Sequence, residues 1–114
     1  MKLVAVSACT AGIAHTYMTQ EAIEQECKKR GIDCKVETQG GMGINNELEQ
    51  DEIDAADVVV LAIAVVILAI AIGIEGDERF DEKRDAGKVI EVDPTQAIKD
   101  IKKLIDRAEA LANE

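Results

Sequence analysis

Cys9 and His15 lie in a short, mostly small-residue segment that directly follows the apolar run Leu3–Val6. The segment Thr10–Ala14 contains Gly12, so its backbone can turn tightly and point successive N–H groups inward. A helix predicted to begin there adds the positive end of its dipole, which completes an anion-binding cradle. The same electrostatic field lowers the pKa of a thiol and favours the thiolate. A thiolate in such a cradle predicts a covalent phosphocysteine.

The position and the loop chemistry alone support a packing role for Cys9 equally well. Cys9 could be a packing residue, because a free cysteine behaves as a small hydrophobe. Cys27 falls in a predicted helix and Cys34 in a predicted strand, so we interpret both as packing residues. Three cysteines without metal-type spacing predict neither a disulfide framework nor a metal site, and we expect no cofactor.

A cysteine-dependent phosphatase is disfavoured by the residues that follow Cys9. That chemistry needs an arginine six residues after the cysteine, where it can hold phosphate in a bidentate grip. His15 occupies this position, and no arginine occurs before Arg30.

Alternating strand and helix patterns surround these residues and predict an α/β fold with a parallel sheet. The strands are short and rich in β-branched residues, whereas the helices carry charged faces. Glycine and asparagine mark a loop, and a charged segment is expected to form one or two helical turns. In chain order we predict strand Lys2–Ser7, helix Ala14–Arg30, strand Asp33–Gln39, loop Gly40–Asn46, helix Glu47–Asp57, charged connection Gly76–Gly87 and strand Lys88–Val92.

A last helix is predicted from its capping residues and its apolar spacing. Asp93 can cap it, Pro94 suits its first position, and Gln96 occupies the capping-box position. Apolar residues then recur at helical spacing and form one stripe. The stripe comprises Ile98, Ile101, Leu104, Ile105, Ala108, Leu111 and Ala112.

The uncharged run Val58–Ile74 contains a tandem repeat. Its copies, Val58–Ala64 and Val65–Ala71, read VVVLAIA and VVILAIA. One interpretation is a membrane-spanning helix, but the run is near the short limit and has acidic flanks without Lys, Arg, Trp or Tyr. Another is a single strand of about 46 Å, which would leave half its length without a partner.

We favour a duplicated strand, with an extra strand or turn arising from residues 58–71. A strand buried on both faces tolerates the reversal of faces that an odd-length shift causes. We expect the first copy, Val58–Ala64, to lie in the central sheet. The second is then predicted to pack on the domain edge or against another subunit, since a large apolar patch is unfavourable in water. This predicts self-association into a homo-oligomer.

Composition limits the classes of partner. The length of 114 residues predicts a single domain, 1–114, with one core. A formal net charge of −10 argues against nucleic acid and against anionic lipid. No signal-peptide pattern follows Met1, and the cysteine content fits a reducing compartment, so a cytoplasmic location is expected.

Three segments resemble the fructose-type IIB domains of the bacterial sugar phosphotransferase system. "VSACTAGIAHTYM" is similar to the family pattern Ala-Cys-Pro-Thr-Gly-x-Ala-His-Thr-x-Met, and the matching residues are Ala8, Cys9, Gly12, Ala14, His15, Thr16 and Met18. "KVETQGGMGINNEL", Lys35–Leu48, resembles a second signature, Val-Glu-Thr-Gln-Gly-x-x-Gly-x-x-Asn-x-Leu. "ERF", Glu78–Phe80, matches a third landmark. The resemblance extends in order over nearly the whole chain.

The resemblance implies a Rossmann-like, three-layer fold with a four-stranded parallel sheet of order 2-1-3-4 and helices on both faces. It implies that Cys9 accepts a phosphoryl group from a phosphohistidine on a IIA domain and passes it to a sugar, fructose-like, held by the membrane IIC component. The implied phosphate-binding loop comprises Thr10, Ala11, Gly12, Ile13, Ala14, His15 and Thr16. The role of His15 stays open between a structural hydrogen-bond partner and a proton donor.

The chain departs from the family pattern in three places. Thr10 replaces the usual Pro, which loosens the loop in the unfolded chain. Ala11 replaces the usual Thr and removes one phosphate-binding hydroxyl. The repeat adds a second copy where the family has one strand. The alternative function is therefore a natural or engineered strand-duplication variant of this scaffold without activity, which phosphorylation of Cys9 would discriminate. The sequence names neither the sugar nor the oligomeric state.

Overall fold

The computed structural model describes residues 1–8, 13–40, 43–63 and 77–113. The strands are β1 Lys2–Ala8, β2 Asp33–Gly40, β3 Gly43–Asn45, β4 Val58–Ile63 and β5 Val89–Val92. The helices are α1 Ile13–Lys29, α2 Gln50–Ala55, a 3₁₀ turn Asp77–Phe80, α3 Asp81–Asp85, α4 Pro94–Lys99 and α5 Ile101–Ala112. These elements confirm the predicted alternation of strand and helix, with small shifts at their ends.

The strands form one sheet of order β3-β2-β1-β4-β5. β1 pairs in parallel with both β2 and β4, and β4 pairs in parallel with β5. The four parallel strands therefore have the expected order 2-1-3-4. The apolar side chains of β1 and β4, the two central strands, are buried on both faces, which is typical of a parallel sheet.

The predicted loop Gly40–Asn46 is wrong in part, because Gly43–Asn45 forms β3 and pairs antiparallel with the end of β2. Asn46, which directly follows β3, has a φ of 55°, in the left-handed region that asparagine tolerates. The short added strand covers the edge of β2, which would otherwise expose unpaired backbone groups. The sheet is therefore mixed at this one edge.

Alternation along the strands divides the core into two layers. Leu3 and Ala5 of β1 face α1, α4 and α5, where they pack with Ile23 and Ile105. We call this side of the sheet the α1 face. Val4, Val6 and Ala8 face the opposite side, which we call the α2 face, where they pack with other buried apolar residues, Leu48, Ile53, Leu61 and Phe80. Helical segments cover both faces, as the resemblance implies.

The single last helix predicted from Asp93 onward is wrong, because Asp100 divides it into α4 and α5. Asp100 has φ −124° and ψ 47°, outside the helical region. Its N–H donates to the Gln96 carbonyl, and its carbonyl accepts from Leu104 N–H, so it ends one helix and opens the next. Aspartate is a weak helix former that favours helix ends. The apolar stripe continues across the break, since residues from both helices join the α1-face core.

The first copy of the repeat lies in the central sheet, as expected. Its residues Val58–Ile63 form β4 between β1 and β5, and all six are buried. The six residues are extended, which contradicts a helix over this part of the run. The second copy, Val65–Ala71, lies outside the described residues. No helix in the described part of the chain has the length and apolar character to cross a membrane.

Candidate functional site

The segment predicted to bind phosphate connects the central strand to the longest helix. β1 ends at Ala8, and α1 begins at Ile13. Cys9, Thr10, Ala11 and Gly12 lie outside the described residues. Ile13, Ala14, His15 and Thr16 form the first turn of α1. The carboxyl end of a strand in an open α/β sheet is the usual place for a ligand.

Three buried hydroxyl residues lie where β1, β2 and α1 meet. Ser7 Oγ donates a hydrogen bond of 2.9 Å to the Thr16 carbonyl, which ties the end of β1 to the first turns of α1. Thr38 is paired with Ser7 in the parallel register of β1 and β2, on the α1 face. We call Ser7, Thr16 and Thr38 the hydroxyl cluster.

Two members of the hydroxyl cluster have unused hydrogen-bonding capacity. Thr16 and Thr38 are each 2% exposed. Among the residues that the structure describes, neither Thr16 Oγ1 nor Thr38 Oγ1 has a hydrogen-bond partner. A buried hydroxyl without a partner is destabilising by about 1–3 kcal/mol. Such groups in a folded protein are often satisfied by water or by a ligand.

A buried ion pair occupies the opposite face of β2, one residue away. Glu37 is 0% exposed, and its two carboxylate oxygens accept from Arg79 Nη1 at 2.9 Å and Nη2 at 3.0 Å. Leu48 N–H and Gln39 Nε2 also donate to this carboxylate, at 2.7 and 2.6 Å. Arg79 in turn donates to the Leu48 carbonyl and lies over the ring of Phe80. The Glu37–Arg79 pair thus joins β2, the segment before α2 and the 3₁₀ turn.

Competing effects set the pKa of Glu37. Burial raises the pKa, but the hydrogen bonds from Arg79, Leu48 N–H and Gln39 outweigh it, so the pKa of Glu37 lies below its ordinary value. The ionised pair joins three segments that meet near the carboxyl edge of the sheet. Its bidentate geometry fixes β2, the segment before α2 and the 3₁₀ turn relative to one another.

Cys27 and Cys34 have the packing roles that the sequence predicts. Cys27 is buried in the α1-face core, and Cys34 packs against the same core. The neighbouring Cys27, together with burial, raises the pKa of the Cys34 thiol. No group of three or more His, Cys, Asp or Glu side chains suited to a metal ion occurs in the part of the chain that the structure describes.

Sequence reasoning did not assign a role to Ser7, Glu37, Thr38 or Arg79. Ser7 is a hydroxyl residue at the end of an apolar strand. Glu37 and Thr38 lie in the segment Lys35–Leu48, where charged and polar residues interrupt a buried strand. A buried strand that carries such residues next to a predicted ligand loop is the signal that could have identified them.

Several known proteins are similar to this chain in both sequence and fold. The family model for the lactose/cellobiose-specific IIB subunit of the PTS, the phosphotransferase system, matches residues 4–107. An Escherichia coli relative, the PTS system fructose-like EIIB component 2, is 41% identical over 96% of this chain and 92% of its own length. The fructose-like PTS system EIIBC component of the same organism is 47% identical over 89% of this chain, but this chain spans only 19% of that relative.

Solved structures give the same grouping. A domain of the fructose-specific IIABC component of Borrelia burgdorferi is 39% identical with a TM-score of 0.78, over 94% of this chain and 91% of that one. A predicted fructose-specific IIB protein from Escherichia coli is 29% identical with a TM-score of 0.83, over 99% and 90% of the two chains. The chain therefore belongs to the IIB family of the sugar phosphotransferase system.

Proposed function

We propose that Cys9 carries the phosphoryl group in a fructose-type phosphotransferase chain. The observation that supports this most directly is its place between the carboxyl end of β1 and the first turn of α1. The names of the relatives, fructose-like and fructose-specific, support a fructose-like sugar as the final acceptor. The EIIBC relative combines a B and a C component in its name, which supports transfer through a membrane IIC component.

Two displacements at phosphorus make up the proposed reaction. In the first, the Cys9 thiolate attacks the phosphorus of a phosphohistidine on the IIA domain, forming an S–P bond while the N–P bond breaks. The histidine nitrogen keeps the bonding electron pair. In the second, a sugar hydroxyl oxygen attacks the same phosphorus, the S–P bond breaks, and the thiolate is regenerated. The hydroxyl proton passes to a base or to water.

The remaining residues of the loop would hold the phosphoryl oxygens. Backbone N–H groups of Thr10–Thr16 and the positive end of α1 supply the electrostatic stabilisation. Transfer in this chemistry depends largely on positioning and charge stabilisation, which such a cradle would supply.

Phosphorylation of single-cysteine variants tests the proposal. The chain is mixed with a phosphorylated IIA domain and its intact mass is followed. Wild type, Cys27→Ala and Cys34→Ala are expected to gain one phosphoryl group, whereas Cys9→Ser is not. Normal phosphorylation of Cys9→Ser would show that another residue is the acceptor, and an unreactive wild type would favour the inactive scaffold.

Binding of inorganic phosphate tests the cradle separately from transfer. Amide NMR shifts on titration are expected to concentrate in Thr10–Thr16. Shifts confined to other parts of the chain would place the anion site elsewhere.

A further inference from the structure

Thr38 carries one of the two buried hydroxyls near the end of β1 that have no hydrogen-bond partner among the described residues. Thr38 is almost fully buried, yet its hydroxyl has no partner among the described residues. It lies on the α1 face of β2, in register with Ser7, and Ser7 is two residues before Cys9. A strand position with this burial would hold a valine without loss if packing were its whole role.

We propose that Thr38 is a phosphoryl-binding residue, whose hydroxyl donates a hydrogen bond to an oxygen of the phosphoryl group on Cys9. This inference rests on the proposed function. It adds to the phosphate-binding loop a residue from a different strand, 29 positions after Cys9 in the sequence.

The geometry around Ser7 supports the assignment. Ser7 donates to the Thr16 carbonyl, so its own hydrogen is committed to the link between β1 and α1. Thr16 and Thr38 both neighbour Ser7, one across this hydrogen bond and the other across the β1–β2 ladder. The two partnerless hydroxyls therefore flank the end of β1 from which Cys9 follows.

The chemistry of the neighbouring residues points to a tetrahedral oxyanion. A threonine hydroxyl is a neutral donor that suits a phosphoryl oxygen, and Ala11 in the loop has no side-chain donor. The hydroxyl cluster contains no carboxylate that would repel an anion. The nearby Glu37 carboxylate is on the α2 face of the same strand and is bound by Arg79, Leu48 N–H and Gln39.

Thr38→Val tests the role of the hydroxyl because valine has nearly the same shape. The variant is expected to unfold in urea at the same or a higher concentration than wild type, since no hydrogen bond is lost. Its affinity for inorganic phosphate, from amide NMR titration of the whole chain, is expected to fall about tenfold or more, as for a hydrogen bond to a charged group. Thr38→Ser should restore most of that affinity.

Thr19→Val is the matched control. Thr19 is a fully buried threonine on α1 that, unlike the Thr38 hydroxyl, interacts with another group. This variant is expected to unfold at lower urea concentration and to bind phosphate as wild type does.

Two results would overturn the assignment. Unchanged phosphate affinity in Thr38→Val, or a wild type in which phosphate shifts no amide, would remove Thr38 from the site. A stability loss in Thr38→Val equal to that of Thr19→Val, with phosphate affinity unchanged, would show that the hydroxyl serves the fold through buried water.

The test of Thr38 and the test of the proposed function can fail independently of each other. If phosphate binding weakens in Thr38→Val but wild type accepts no phosphoryl group from a IIA donor, the anion site stands and the transfer reaction fails. If wild type is phosphorylated and Thr38→Val is phosphorylated at the same rate with the same phosphate affinity, the transfer reaction stands and the role of Thr38 fails.

Discussion

Two arginines mark opposite edges of the sheet and behave differently. Arg30 follows α1 at the amino edge, where it contacts Glu26 at 2.8 Å, Asp106 at 2.7 Å and Glu109 at 2.6 Å. Its side chain is 22% exposed, and Asp106 is largely hydrated at 68%. Arg79 lies toward the carboxyl edge, where its side chain is 14% exposed and its partner Glu37 is 0% exposed.

The two edges differ in how far their charged groups are buried. At the amino edge, Arg30 connects α1 to two exposed carboxylates of α5, Asp106 and Glu109. Toward the carboxyl edge, the ion-paired Glu37 carboxylate is fully buried and two threonine hydroxyls have no partner among the described residues. Buried polar groups cost free energy unless they are paired, so their concentration beside a strand-to-helix junction is typical of a binding site.

Replacing Arg79, at the carboxyl edge, should have the largest effect on stability. Arg79→Met leaves the Glu37 carboxylate buried without its main partner, which is expected to cost about 3–5 kcal/mol of the free energy of unfolding. Urea denaturation measures this loss. Replacing both residues, as Glu37→Met with Arg79→Met, should recover part of it, and a double variant less stable than Arg79→Met would contradict the explanation.

The same pair should also make stability depend on pH. The pKa of Glu37 is lowered in the folded state, so the folded chain binds fewer protons than the unfolded chain near the ordinary glutamate pKa. Its contribution is present above that ordinary value and is lost as the pH falls through the lower folded value. As the pH is lowered from neutral to acidic, the unfolding temperature of Glu37→Gln should fall less steeply than that of wild type. Parallel curves would assign the acid sensitivity to other carboxylates.

Replacing Asp93, which caps α4, should have an intermediate effect on stability. Asp93 accepts a hydrogen bond of 2.8 Å from Thr95 N–H at the start of α4. Asp93→Ala is expected to cost about 1 kcal/mol, because a helix N–H loses its partner. Asp93→Asn retains an acceptor and serves as the control in urea denaturation. An equal loss in both variants would indicate that charge, rather than capping, stabilises the helix start.

Arg30→Met should have a smaller effect on stability than Arg79→Met and the strongest salt dependence, because two of its three partners are exposed. Two of its partners, Asp106 and Glu109, are accessible to water and are rehydrated when the guanidinium is removed, whereas Glu26 is 9% exposed and loses its partner. The difference in unfolding midpoint from wild type should shrink as salt is added, whereas the loss in Arg79→Met should persist. A salt-independent loss in Arg30→Met as large as that of Arg79→Met would remove the distinction between the edges.

Local patterns predicted most of the fold because each element carries its own signal. The apolar strand Leu3–Val6, the basic end of α1 before Gly31 and the capping residues Asp93 and Pro94 are all readable without tertiary information. The family signatures added the sheet order. Even the first copy of the repeat was assigned to the sheet correctly, since a short link from Asp57 leads directly into it.

Features that depend on distant partners were not predicted. Glu37 and Arg79 are 42 residues apart, and nothing local to either residue specifies their contact. β3 depends on pairing with β2 rather than on its own composition, which resembles a loop. The break at Asp100 interrupts an apolar spacing that continues on both sides. The predicted loop residues Cys9, Thr10, Ala11 and Gly12 remain a proposal based on their sequence.

The position of β1 has a consequence for how the chain is synthesised and folded. β1 precedes both of its neighbours in the chain, and it pairs with residues 33–39 on one side and 58–63 on the other. The sheet cannot be completed around β1 until β4 has left the ribosome. Until then an apolar strand remains without one of its partners, a state that favours aggregation and slows folding. A change in the turn after α1, around Gly31, that stabilises the pairing of β1 with β2 should therefore raise the yield of folded protein.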